Sequence, residues 1–105
     1  MNWAIALGAC HALDIPFNFG LIGSFPWFGG VDDTIFREDN RLGQESLSHA
    51  MMDYAAQFAR TGNPTAAGLH AWTSWPRTKW SRAPKFILFD ANYNEAVIQM
   101  ATDVQ

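Results

Sequence analysis

The chain holds a single cysteine, Cys10, in 105 residues. That count excludes an internal disulfide and any cysteine-based zinc cluster, and it leaves the redox compartment open. Positive charge is scarce as well: seven Lys and Arg stand against ten Asp and Glu, for a formal net charge of −3. Read as thinly spread, these cations make no basic stripe able to neutralise a phosphate backbone, so no nucleic-acid partner is expected. No apolar run approaches the roughly 18 residues that a membrane helix needs, and no membrane partner is expected. The opening "MNWAIAL" lacks the basic start and the length of a secretory signal, so no targeting segment is read; the compartment stays unassigned, with the cytoplasm as the default. Histidines are few, and no two of His11, His49 and His70 have metal-ligand spacing, so no metal is expected. None of Ser24, Ser46, Ser48, Ser74 and Ser81 lies in a Gly-x-Ser-x-Gly elbow, which leaves these residues without a credible serine nucleophile.

What the chain does have is apolar and aromatic bulk: 49% hydrophobic residues and 14% aromatic, with five Trp and eight Phe. Such a composition is too apolar for a disordered chain, and the length is that of one domain or part of one. No internal repeat and no low-complexity tract interrupts it.

Residues 3–10, "WAIALGAC", read as a short buried strand or the approach to a loop. In "PFNFGLIGSFPWFGG", residues 16–30, turn formers alternate with large apolar side chains, which predicts a structured loop packed against a neighbour. The charged stretch at 31–41 reads as a solvent-facing connection. Leu47, Ala50, Met51, Tyr54, Ala55, Phe58 and Ala59 then recur at helical spacing, one apolar stripe of an amphipathic helix over about 43–61. Ser48, Asp53, Gln57 and Arg60 take its polar side, and Gly62, Asn63 and Pro64 supply the stop. Residues 65–84 carry Trp72, Trp75 and Trp80 without a period, which suggests a loop pinned by tryptophans. "KFILFD" and "EAVIQM" flank "ANYN", the pattern of a hairpin or of two short edge strands.

His11 draws attention as the one histidine set between a small-residue run and a Pro/aromatic segment, with Asp14 three places on. A histidine on a loop beyond a strand serves as a general base when one ring nitrogen faces a nucleophile and the other a carboxylate; it serves equally as a packed residue bonded to backbone. Asp14 at that separation caps a turn or supports a site from behind. Cys10 and His11, adjacent on extended backbone, point to opposite faces and make a poor Cys-His pair. The tryptophans at 72, 75 and 80 suit either sugar stacking or hydrophobic pegging.

"GACHALDIPFNFG" (8–20), "LSHAMMDYAAQFARTGNP" (47–64), "SWP" (74–76) and "FILFD" (86–90) together resemble, in order and spacing, the C-terminal end of type B carboxylesterases, the family of cholinesterases and bacterial para-nitrobenzyl esterases. The resemblance implies an α/β class, with residues 1–105 as an incomplete C-terminal fragment of an α/β-hydrolase fold, containing one long amphipathic helix, short strands and a C-terminal hairpin. It implies that His11 is the histidine of a Ser-His-Glu/Asp triad, with Asp14 resembling the family's supporting carboxylate. Phe17 and Phe19 follow closely enough to be candidates for lining an acyl pocket. The implied activity is hydrolysis of a small-molecule carboxylic ester without a cofactor, in an enzyme whose serine and acid lie upstream, so that the 105 residues alone are expected to be inactive. Two alternatives stand beside it: a cholinesterase-like interaction domain that has lost catalysis, and a truncated product with no function of its own. The chain departs from the family at Ala12, commonly Gly, at Asp14, commonly Glu, and at Ala55, usually Trp.

Overall fold

A computed structural model describes residues 12–22 and 37–102. Within them the elements run in the order of a short helix α1 (Ile15–Asn18), a 3₁₀ turn (Glu38–Asn40), a long helix α2 (Arg41–Thr61), and strands β1 (Phe86–Ala91) and β2 (Ala96–Ala101). The strand expectation at 3–10, and the greater part of the loop and the charged connection expected over 16–41, lie outside the described residues.

Helix α2 forms where the periodicity predicts it. Gly62 ends it at φ 78°, a left-handed conformation open to glycine without steric cost, and its N–H donates to the Phe58 carbonyl. Asn63 and Pro64 then turn the chain away. The buried side of α2 differs from the predicted stripe. Gly43, Gln44, Leu47, Ser48, Ala50 and Tyr54 are buried, whereas Ala55, Phe58 and Ala59 are exposed. Ser48, assigned by periodicity to the polar side, is therefore a core residue. The cause is tertiary: α1 and the hairpin cover the first half of the helix, and the apolar positions of its last two turns are left open.

Strands β1 and β2 pair antiparallel, with Phe86 opposite Ala101 and Ala91 opposite Ala96, which realises the hairpin alternative. Asn92 organises the connection. Its side-chain oxygen accepts from the Asn94 and Glu95 N–H groups, and its own N–H donates to the Glu95 carbonyl. Along β2, Val97 and Gln99 face solvent while Ile98 and Met100 are half-buried, the period-two alternation of a strand with one covered face. Helix and hairpin together make a mixed α/β arrangement.

The hairpin is locked onto α2 at its turn. Gly43 donates its N–H to the Tyr93 carbonyl, Ser46 Oγ accepts from the Ala96 N–H, and a Cβ at position 43 would stand 1.8 Å from the Asn92 carbonyl oxygen. Such an approach of backbone to backbone is open only to a residue without a side chain.

Candidate functional site

His11 lies outside the described residues, so the geometry begins one residue later. Ala12 has φ 70°, in the left-handed region that an L side chain enters at a cost. Its carbonyl accepts from the Ile15 N–H, closing a turn from which α1 starts. Pro16, in the first turn of α1, needs no hydrogen-bond partner for its nitrogen there, and it is buried. The segment after His11 is thus a tight left-handed turn followed by one helical turn.

Asp14 stands at the start of α1 and is exposed. Its carboxylate accepts from Asn18 Nδ2 at 3.2 Å, four residues on. Phe17 is half-buried and Phe19 is 71% exposed. The backbone at Phe17 is what ties α1 to the rest: Ser48 Oγ donates to the Phe17 carbonyl at 2.7 Å. This buried hydroxyl fixes the position of the post-histidine segment on α2, and no periodicity argument identifies it. His49 is exposed on α2, and His70 is exposed in the following loop with Nδ1 2.9 Å from the Ala71 carbonyl oxygen. Among the described residues, no three His, Cys, Asp or Glu side chains are grouped to hold a metal ion.

The concavity beside this segment is an open cleft of about 900 Å³. Its walls come from Asn18 at the end of α1, from Met51, Ala55 and Phe58 on α2, and from Trp72 and Phe89. Neither Phe17 nor Phe19 lines it. Its floor is a cluster of three rings. Tyr54, 1% exposed, has its ring centre 5.6 Å from Trp72 and 5.7 Å from Phe89, and Trp72 and Phe89 are 5.8 Å apart edge to face. Edge-to-face rings at these separations add to the stabilisation that burial gives. The Tyr54 hydroxyl donates to the His70 carbonyl at 2.6 Å, which satisfies the buried phenol. Burial pushes the Tyr54 phenol up from its ordinary value. Trp72 is thus a structural peg, whereas Trp75, edge to face with Phe86 at 5.2 Å, and Trp80 are both largely exposed. Ala55, where the resembled family usually has Trp, sits on the cleft wall and leaves it open.

Over 64 residues the chain is 47% identical to acylcarnitine hydrolase of Rattus norvegicus, a stretch covering 61% of this chain and 10% of the rat protein. Over 64 residues it is 45% identical to acylcarnitine hydrolase of Mus musculus, with the same coverage. No family model matches the chain, and no solved structure matches it. The chain spans about a tenth of the length of these curated relatives. Over three fifths of its residues it is therefore similar to proteins named as hydrolases.

Proposed function

We propose that the chain is the C-terminal part of a serine carboxylesterase with an α/β-hydrolase fold, and that His11 is its general base. The observation that carries this reading is the identity of 45–47% with two acylcarnitine hydrolases over 64 residues. The order of the "GACHALDIPFNFG", "ARTGNP" and "SWP" motifs supports it. In the complete enzyme His11 takes the proton from a serine hydroxyl supplied by an upstream segment, passes it to the leaving alcohol, and then activates the water that releases the acyl group. Asp14 acts on this site only by orienting the turn that carries His11. The two relatives are named as acylcarnitine hydrolases, which supports a carboxylic ester as the substrate class.

By this reading the 105 residues hydrolyse nothing on their own, because an imidazole without a serine and an oxyanion hole forgoes both the covalent step and the electrostatic stabilisation of acyl transfer. The test begins with the coding sequence upstream of Met1, where an in-frame Gly-x-Ser-x-Gly elbow is expected. In the longer chain, His11→Gln should lower ester turnover by about 10³-fold or more, and His49→Gln should leave it unchanged. A folded His11→Gln protein with near-normal turnover would remove His11 from the triad. An upstream sequence with no elbow would turn the reading toward a noncatalytic interaction domain.

A further inference from the structure

The cations of this chain are not evenly spread. Four of its seven Lys and Arg, namely Arg77, Lys79, Arg82 and Lys85, fall within nine residues, and no Asp or Glu occurs between Asp53 and Asp90. Among the described residues, the ion pairs are Arg37 with Asp39 and Arg41 with Glu38 and Glu45, so none of these four cations meets a carboxylate there. A chain of net negative charge thus carries a largely exposed segment whose charges are all positive.

Two tryptophans belong to that segment. The Ser81 N–H donates to the Thr78 carbonyl and the Trp80 N–H to Thr78 Oγ1, a turn that carries Lys79 and Trp80 at its tip, and Trp80 is 82% exposed. Lys79 Nζ stands 4.9 Å from the centre of the Trp80 ring, and Lys85 Nζ 5.9 Å from that of Trp75, itself 61% exposed. Each indole therefore has an ammonium group near one face, and both indoles are more than half exposed. Pro76 and Pro84 stiffen the two ends of the loop.

We propose that the 75–85 loop is a contact for an anionic lipid surface, with Trp80 and Trp75 seated at headgroup depth and the four cations paired with lipid phosphates. An exposed indole has an apolar body and one polar N–H, the combination that settles at the boundary between headgroups and acyl chains. Lys and Arg beside it are attracted by the negative surface potential, each by a few-fold in partitioning. Each ammonium covers one ring face only, so a single-stranded oligonucleotide stacked on the other face is the rival that the test separates from the lipid surface. The contact is peripheral and separate from any spanning segment; no helix among the described residues is long and apolar enough to cross a membrane. It does not rest on the hydrolase reading.

The test is sedimentation of the 105-residue chain with vesicles of phosphatidylcholine alone and of phosphatidylcholine mixed with phosphatidylglycerol, at low and high salt. Binding is expected to the mixed vesicles, weakened by salt, and reduced on the order of tenfold or more by K79E/R82E. The charge-neutral K79Q/R82Q should fall between the two, and Trp80→Ala should reduce binding at unchanged charge. Equal binding to neutral vesicles would assign the interaction to the open apolar cleft and overturn the proposal. So would indifference to all three variants, or tighter binding to a single-stranded oligonucleotide than to the mixed vesicles.

Discussion

Among the described residues, Ala12 is the one at which sequence and backbone disagree most. At φ 70° its methyl group is held in a region that costs an L residue about 1–2 kcal/mol, while glycine enters it freely. Glycine loses about 0.5–1 kcal/mol more than alanine in conformational entropy on folding, so the two effects oppose each other and the steric one wins. Ala12→Gly should therefore stabilise the chain by roughly 0.5–1 kcal/mol, read as a higher urea midpoint with an unchanged slope. A lower midpoint would mean that the turn after His11 does not hold a left-handed residue. The family that this segment resembles commonly has glycine here, and the turn supplies the physical reason.

Between elements, the junction of α2 with the hairpin turn depends on Gly43. Alanine is the better helix former by about 1 kcal/mol. A Cβ 1.8 Å from the Asn92 carbonyl oxygen, however, would have to push the whole turn away, with loss of the hydrogen bond from Gly43 to Tyr93. The clash decides the sign: Gly43→Ala should destabilise by about 1–3 kcal/mol, measured by thermal unfolding followed by far-ultraviolet circular dichroism. A rise in the midpoint would show helix propensity prevailing and the contact to be loose. The periodicity of apolar residues located α2 but not this junction, because a glycine in the first turn of a helix carries no hydropathy signal. Ser48 was misassigned for a related reason, since its burial follows from α1 lying across the helix and not from spacing along it.

At the scale of the whole molecule, the Tyr54, Trp72 and Phe89 cluster joins helix, loop and hairpin. Because burial raises the Tyr54 phenol above its ordinary value near 10, the unfolded chain loses that proton at lower pH than the folded one. The associated stability is fully present below about pH 10 and is lost as the pH rises through the higher folded value. Tyr54→Phe should flatten this alkaline decline and cost on the order of 1 kcal/mol at neutral pH through the hydrogen bond to the His70 carbonyl. Denaturant titrations from neutral to alkaline pH measure both effects; an equally steep decline in the variant would place its source elsewhere.

By itself the sequence determined the local elements. The 3.6-residue spacing from Leu47 to Ala59 located the helix, Gly62 with Asn63 and Pro64 located its end, and two β-rich runs around "ANYN" located the hairpin, because each of these is set by interactions between near neighbours. The motif order around His11 and Asp14 pointed to an esterase relationship that the partial match to acylcarnitine hydrolases supports at the level of a hydrolase. Tertiary structure alone decided which half of α2 is covered, that Ser48 is buried and bonded to Phe17, that Gly43 meets the hairpin turn, and that Trp72 is a peg while Trp80 stands in solvent. These depend on contacts between residues about 15 to 50 positions apart in the chain, and spacing along a single element carries no information about what lies against it.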